Sequence, residues 1–373
     1  MNHPTRSRSR TLFASLGAAA LTTVALGAAA LWNARRARQA ERNNPPRGLF
    51  FEIDGVHLHY LDRGDGPVLV LLHGNGAMAQ DFAISGLIDR LARRYRVIAF
   101  DRPGFGHTNR PRSRTWTPFA QAALIRQALA RLGIEQAIIL GHSWGTLVAL
   151  ALALDHPSAV RALVLLSGYY FPTLRTDVLL LSPTATPILG DLLSHTVSPL
   201  LARALWRRII RKIFAPAPVS PRFAAAFPRE LSLRPSQLEA VASDTAFMTP
   251  SAAALATRYG ELEMPVVLIA GRDDQIVDFG RHSERLHVTL PQSELISIDG
   301  AGHMVHYTAP EQVIAGIDLA TSRASKKEHD RLTAAPTMTE ASGCTSTTVD
   351  DASTRARDPA RPARRAPLDY WCY

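Results

Sequence analysis

The chain has 373 residues, of which 46% are hydrophobic, so it is long and apolar enough for one large globular domain or two smaller ones. Its formal net charge of +10 does not indicate nucleic-acid binding by the folded region, because the first 46 residues carry seven Arg and only one Glu. Both cysteines, Cys344 and Cys372, lie near the C-terminus, which excludes a disulfide framework, a thiolate metal site and a cysteine nucleophile from the rest of the chain.

The first element is an uncharged segment, residues 11–32, with arginines on both sides. As a helix it would span about 33 Å, enough to cross a bilayer. We favour a retained membrane anchor, because the segment is longer than the core of a signal peptide. A secretory signal cleaved near residues 28–30 and a soluble amphiphilic extension stay open, as does the orientation in the membrane. With the Asn- and Pro-rich linker that follows, residues 1–46 form a predicted anchor and linker.

Short apolar runs then alternate with helix-like patterns. Runs typical of strands occupy residues 49–53, 56–61, 68–72, 97–100, 137–140, 162–166, 266–269 and 294–298. Helical patterns, such as those at 117–132 and 146–154, separate the later runs. This order predicts an α/β fold, with a mostly parallel eight-stranded sheet covered by helices on both faces. We expect residues 47–170 and 251–322 to form the two parts of this core.

Residues 171–250 interrupt the alternation with a helix-patterned, apolar and Pro-rich stretch. It predicts a helical cap over one edge of the sheet. Near residues 200–214, apolar side chains recur at helical spacing with basic residues between them. A solvated basic face is the usual interpretation of such a helix, and a face resting on anionic lipid is the alternative. From residue 323 to 373 the chain is polar and biased in composition, which predicts a disordered tail.

The most informative stretch is Gly-His-Ser-Trp-Gly at residues 141–145. It joins an apolar strand-like run to a helix-like run, so Ser143 is predicted at the apex of a sharp, strained turn between them. Glycines at both ends leave room where a Cβ atom would clash. A serine hydroxyl becomes nucleophilic only when a base takes its proton, so this turn predicts a histidine base elsewhere in the chain. His142, beside the nucleophile, is interpreted as a packing residue.

Candidates for the base and for a supporting carboxylate follow two later strands. Asp273 and Asp274 come after the run at 266–269, and His303 follows the run at 294–298 in a glycine-rich turn. We favour His303 over His306 as the base, because that turn can project it towards the serine. The order Ser, Asp, His is the one expected with this type of turn. A carboxylate would hold the histidine in the required tautomer and stabilise its charged form.

These motifs together resemble the α/β-hydrolase superfamily, in its capped, esterase- and lipase-like branch. The resemblance covers roughly residues 49–319 and rests on the serine turn, on Gly300-Ala301-Gly302-His303, and on three further motifs: His73-Gly74-Asn75-Gly76, Asp101-Arg102-Pro103-Gly104-Phe105-Gly106 and Gly271-Arg272-Asp273-Asp274. Related haloalkane dehalogenases and epoxide hydrolases carry an aspartate at the nucleophile position, where this chain has serine. No metal- or nucleotide-binding motif is present, so no cofactor and no metal are predicted.

The resemblance implies roles for individual residues. The family pattern at the acid turn falls on Asp274, with Asp273 as a bystander. The backbone N–H groups of Asn75 and Trp144 are the implied oxyanion hole. His73 is interpreted as a turn-stabilising residue. Side chains assigned to line the substrate pocket are Phe105, Tyr169, Tyr170 and His306.

The sequence therefore predicts a cofactor-independent serine hydrolase that cleaves an ester-like bond of an apolar small molecule. Ser143, His303 and Asp274 are its predicted catalytic residues. A C–C bond hydrolase or a perhydrolase of the same fold is one alternative, and a non-catalytic, membrane-associated binding protein is another. The predicted partners are an apolar substrate and a membrane, without nucleic acid, and the sequence gives no oligomeric state.

Overall fold

The computed structural model describes residues 5–173 and 187–334. It divides into two units, residues 1–330 and residues 331–373, and the described part of the second is the end of the last helix. The first unit contains an eight-stranded sheet, whose strands are β1 Leu49–Ile53, β2 Val56–Arg63, β3 Val68–Leu72, β4 Arg96–Phe100, β5 Ala137–His142, β6 Val160–Leu166, β7 Val266–Gly271 and β8 Ser293–Ile298. Each of the eight predicted strands is present.

The strands are ordered β1-β2-β4-β3-β5-β6-β7-β8. β1 pairs with β2, and β2 with β4, in antiparallel fashion, whereas the other pairings are parallel. β5 and β7 are buried along their whole length, as expected of apolar strands covered on both faces. The predicted fold class is thus confirmed. Because β5, β7 and β8 run in the same direction, their carboxyl ends lie at one edge of the sheet.

Helices cover both faces of the sheet and extend beyond it. In chain order they are α1 Thr5–Asn43, α2 Ala79–Ile84, α3 Leu87–Leu91, α4 Pro118–Arg131, α5 Gly145–Asp155, α6 Pro187–His195, α7 Val197–Phe214, α8 Pro221–Ala226, α9 Arg229–Ser232, α10 Pro235–Ala256, α11 Arg285–Thr289, α12 Val305–Thr308 and α13 Pro310–Ala334. One large apolar cluster includes residues of α4 and α5, and a second includes residues of α2, α3 and α13. Each face of the sheet therefore has its own core.

Helices α6 to α10 lie between β6 and β7 in the chain, where the cap was predicted. Part of the predicted cap, residues 174–186, lies outside the described residues. The predicted boundary at residue 250 is wrong, because Pro250 lies inside α10 and the helix continues to Ala256. Ala252 and Leu255 of that last part are buried in the core of the sheet, so packing holds the helix together beyond the proline.

The predicted start of the disordered tail at residue 323 is also wrong, since α13 continues to Ala334. Ala320 and Ala324 are buried in the second core, with residues of α2 and α3, and Arg323 forms an ion pair with Glu294. These contacts stabilise a helix that composition alone did not predict. Residues 335–373 lie outside the described part of the chain.

Helix α1 combines an apolar part with a part that packs on the protein. It is long and apolar enough to be a membrane anchor or a signal sequence. Its later residues contact the cap: Ala40 is buried beside Leu231 of α9, and the Asn33 side chain donates hydrogen bonds to the carbonyl oxygens of His195 and Thr196. The predicted N-terminal segment is therefore partly joined to the folded body.

Candidate active site

Ser143 occupies the turn between β5 and α5 with a strained backbone. Its φ of +53° lies in the left-handed region, which non-glycine residues rarely adopt. Such a conformation costs about 1–3 kcal/mol and persists only where the surroundings hold it. Here the Ser143 N–H donates a hydrogen bond of 2.9 Å to Leu166 O of the neighbouring strand. The turn thus fixes the serine at the carboxyl edge of the sheet.

Two glycines make this turn possible. A Cβ atom on Gly141 would lie 2.7 Å from the backbone of Gly145 and of Thr146. A Cβ atom on Gly145 would overlap the carbonyl oxygen of Leu72. The start of α5 therefore lies against β3 and β5 at a distance that only glycine permits.

His303 lies between the serine and a carboxylate. Its Nε2 is 2.9 Å from Ser143 Oγ, and its Nδ1 is 2.7 Å from Asp274 Oδ2. An ionised carboxylate only accepts hydrogen bonds, so Nδ1 carries the proton and the lone pair of Nε2 faces the hydroxyl. The side chains of His303 and Asp274 are 5% and 2% exposed, so water competes little for these bonds. This tautomer is the one a general base requires.

The two aspartates of the acid turn have different contacts. Asp274 Oδ1 accepts hydrogen bonds from the N–H groups of Ile276 and Val277, which orient its other oxygen towards His303. Asp273 Oδ2 instead accepts from the N–H of Gly300 and stabilises the neighbouring turn. The structure therefore brings Asp274, and not Asp273, into contact with the histidine.

The backbone of the loop after β3 lies against Ser143. A Cβ atom on Gly74 would be 3.1 Å from Ser143 Cβ. The Asn75 side chain points to α10, where it donates to Thr245 Oγ1 over 2.9 Å. Trp144 lies at the N-terminus of α5, where backbone N–H groups lack partners within the helix. No described residue accepts a hydrogen bond from the N–H of Asn75 or of Trp144, which leaves both donors available.

Arg102 and His73 fix the peptide that carries the Asn75 N–H. His73 Nε2 accepts from the N–H of Arg102, so Nδ1 holds the proton and donates to Gly74 O over 2.8 Å. Burial, followed by the nearby Arg102 charge, lowers the pKa of His73 to about 3 and keeps the ring neutral. Arg102 Nη2 donates to the same Gly74 oxygen over 3.1 Å. Two donors therefore hold the carbonyl of the Gly74–Asn75 peptide.

The same arginine connects this loop with the cap. Its guanidinium is fully buried, stacks 4.4 Å from the Trp144 ring centroid, and donates to Asp244 Oδ2 of α10 over 2.6 Å. Trp144 Nε1 donates to Asp244 O as well. The sequence motif contains Arg102 but did not predict a role for it, although an arginine two residues after an apolar strand is a visible signal. Nothing in the sequence pointed to Asp244.

The side chains predicted to line the pocket are packing residues instead. Phe105 contacts the His73 ring and the Arg102 guanidinium, and His306 Nε2 lies 3.1 Å from Asp81 Oδ2 in a fully buried pair. Tyr169 and Tyr170 are 1% and 0% exposed and belong to a core cluster. Their positions at strand and turn ends suggested a binding surface, but their side chains point into the core.

His142 is also buried. Its Nε2 donates to the carbonyl oxygen of His303 over 3.1 Å, which stabilises the turn that carries His303. Burial, together with the nearby His306 and His303, lowers the pKa of His142 well below its usual value. The ring is therefore neutral at physiological pH, as a packing residue should be.

Apolar side chains of the cap lie beside the histidine turn. Met304 packs in a cluster with Phe214 of α7 and Phe223 of α8, and a Cβ atom on Gly302 would overlap Ala215 O. The cap thus contacts both neighbours of His303. A cavity of about 840 Å³ lies elsewhere, and neither Ser143 nor His303 lines it.

Comparison with known proteins gives one family and several distant relatives. A family model described as "alpha/beta hydrolase fold" matches residues 67–310. The chain is similar to haloalkane dehalogenase 2 of Mycobacterium tuberculosis, with 25% identity over 283 residues, which are 73% of this chain and 94% of that protein. It is 37% identical to 2-hydroxymuconate semialdehyde hydrolase of Pseudomonas sp. CF600 over 136 residues, 36% of this chain and 48% of that protein.

Among solved structures, a bacterial membrane phospholipase A has a similar fold. The TM-score is 0.58 and the sequence identity 22%, and the match covers 86% of this chain and 99% of that structure. At this identity the similarity concerns the fold.

Proposed function

Since this chain belongs to the alpha/beta hydrolase fold family, we propose that it is a serine hydrolase cleaving an ester-like bond of an apolar small molecule. The observation that carries this proposal is the pair of hydrogen bonds of His303, 2.9 Å to Ser143 Oγ and 2.7 Å to Asp274 Oδ2. The left-handed backbone of Ser143 supports it, because strained residues are typical of catalytic turns.

The proposed reaction proceeds through an acyl-enzyme. His303 Nε2 takes the hydroxyl proton as Ser143 Oγ attacks the carbonyl carbon, and Asp274 stabilises the resulting imidazolium. The N–H groups of Asn75 and Trp144 donate to the oxyanion that forms. His303 then gives its proton to the departing alcohol. A water molecule, deprotonated by His303, attacks the acyl carbon and releases the acid together with free Ser143.

An apolar substrate is proposed from the surroundings of the histidine. Met304, the next residue in the chain, packs with Phe214 and Phe223 of the cap in a buried apolar cluster, so this part of the structure around the histidine turn is apolar. Binding sites with predominantly apolar walls favour apolar ligands, since a charged ligand would lose hydration there. We therefore expect longer acyl chains to be preferred over acetate.

Labelling of the serine tests the proposal directly. A fluorophosphonate probe should label the wild-type chain and a Ser322→Ala control, whose hydroxyl lies exposed on α13, but not Ser143→Ala. Ser143→Ala should also lose hydrolysis of nitrophenyl esters from acetate to decanoate, with its melting temperature kept. Labelling or turnover that persists in Ser143→Ala would refute the assignment.

A C–C bond hydrolase is the second candidate. The stretch of 37% identity to 2-hydroxymuconate semialdehyde hydrolase favours it, although that match covers 36% of this chain. The same serine and histidine can serve both reactions. Product analysis with simple esters and with β-diketone-like substrates separates them, since a C–C hydrolase should turn over the diketone faster than any ester.

We propose further that α1 is retained as a membrane anchor. It is 39 residues long, and the hydrogen bonds of Asn33 fasten its later part to the cap. The protein should therefore remain in the membrane fraction after a high-salt wash, with residues 1–32 detected by mass spectrometry. An N-terminus near residue 31 in a soluble fraction would contradict the anchor.

A further inference from the structure

Helices α6 and α7 of the cap expose an unusual number of large apolar side chains. Their exposed fractions range from 39% to 55%. We call this surface the apolar patch, and its members are Leu189, Leu192, Val197, Leu200, Leu201, Leu205 and Ile209. Scattered exposed leucines are normal on soluble proteins, but several on two consecutive helices indicate a surface with a partner.

The apolar patch adjoins the end of the apolar part of α1. Arg203 of α7 lies over the Trp32 ring, 4.7 Å from its centroid, and donates to Asn33 Oδ1 over 2.9 Å. Asn33 in turn holds the carbonyl oxygens of His195 and Thr196, between α6 and α7. The two helices therefore lie where a membrane-inserted α1 would leave the bilayer.

The last turns of α7 are strongly basic. Arg207, Arg208, Arg211 and Lys212 are exposed, and no carboxylate among the described residues forms an ion pair with any of them. Positions 207 and 211, like 208 and 212, are four residues apart, so like charges face each other on the helix. The C-terminal end of a helix favours cations, but such like-charged pairs also repel each other, and a nearby anion would relieve that repulsion. This arrangement favours an anionic partner.

We propose that the apolar patch and these basic residues dock on the anionic lipid surface of the membrane that α1 spans. The apolar side chains enter the boundary between headgroups and acyl chains, and the basic side chains contact lipid phosphates. The proposal rests on the retained anchor. A second copy of the chain fits less well, because a twofold contact would bring the same basic residues together.

The test uses the full chain in nanodiscs, with Cys344 and Cys372 changed to Ser. A fluorescent probe is attached at Leu201→Cys or Leu205→Cys, with Ser322→Cys on α13 as the control position. Doxyl-labelled lipid in phosphatidylcholine–phosphatidylglycerol discs should quench the probes at 201 and 205 by about twofold and leave the control unchanged. Equal quenching by the doxyl lipid at the three positions would overturn the proposal. Contact between the probes at position 201 of two chains, without quenching by lipid, would also overturn it.

Charge reversal tests the role of the basic residues of α7 in the proposed lipid contact. Arg208→Glu together with Lys212→Glu should reduce quenching at 201 in anionic discs, whereas Arg131→Glu on the exposed side of α4 should not. Quenching that is identical in pure phosphatidylcholine and unaffected by charge reversal would refute an anionic partner. Ester hydrolysis measured on every variant keeps this result separate from the proposed chemistry, which requires Ser143 and not the patch.

Discussion

Replacing Asp274 by Asn tests the proposed proton transfer with minimal change in shape. In the wild type, Oδ1 accepts from the N–H groups of Ile276 and Val277, and Oδ2 accepts from His303 Nδ1. The amide introduced by Asp274→Asn would keep its oxygen on the two backbone donors and turn its NH₂ towards His303. Nδ1 then has to accept, the proton moves to Nε2, and the ring can no longer take a proton from Ser143.

The size of the effect follows from the alternative arrangement. If the amide flips instead, its oxygen faces His303 and Nδ1 keeps its proton. The N–H groups of Ile276 and Val277 then face an NH₂, and each lost hydrogen bond costs about 1–3 kcal/mol. The total of about 2–6 kcal/mol corresponds to a rate loss between about 30-fold and about 26,000-fold at 1.36 kcal/mol per tenfold. The loss should appear in kcat, because no group that contacts substrate is removed.

The matched control is Asp273→Asn, in the same turn. An amide oxygen there can still accept from the Gly300 N–H, so activity should stay within about twofold of wild type. The assay is hydrolysis of the best nitrophenyl ester, with melting temperatures for both variants. If Asp274→Asn keeps a tenth or more of the wild-type kcat, or if Asp273→Asn is equally impaired, the assignment of the carboxylate is wrong.

Three further variants test the parts that support the site. Gly145→Ala should lower the free energy of unfolding by at least about 1–3 kcal/mol, because its Cβ atom would overlap the backbone of β3. Gly260→Ala is the control, since a Cβ atom there meets open space and should leave the stability unchanged. Equal melting curves for the two variants would contradict this prediction. Arg102→Met should cost up to about 3–5 kcal/mol, because Asp244 stays charged and buried with Arg110 as its remaining cation, and adding Asp244→Leu should recover part of this cost in chemical denaturation. The folded pKa of His73, about 3, lies below its unfolded value of 6.5, so its stabilising contribution is complete above pH 6.5 and lost as pH falls towards 3. About 2 kcal/mol should be missing at pH 5, and a His73→Gln variant should show a correspondingly weaker pH dependence in thermal melts.

Much of the fold was predictable because local patterns decided it. The buried runs of β3, β5 and β7 are apolar on both sides, and their separation by helical patterns leaves few alternatives to a parallel sheet. The ends of elements were harder to predict. The continuation of α13 past residue 323 depends on contacts with distant groups, such as Glu294, that polar composition does not reveal.

The candidate site was predictable where chemistry requires a residue type in a turn. Ser143 and His303 follow from glycine-flanked positions after strands, and the structure brings them within 2.9 Å. The pocket residues were not predictable in the same way. Phe105 and His306 are residue types that often line binding sites, but tertiary packing buries both side chains in the core. Their neighbours in the sequence do not reveal this packing.

The attachment of α10 to the core limits how substrate can enter. Asp244 of that helix is fully buried against Arg102, and Thr245 accepts from Asn75, so displacing α10 would expose a charge and disturb the loop beside the nucleophile. Helix α6 is held by an exposed ion pair between Asp191 and Arg112, which belongs to the segment after β4 and not to the loop after β3. A movement of the cap that keeps α10 in place would therefore leave the contacts beside Ser143 intact, whereas a movement of α10 would break them.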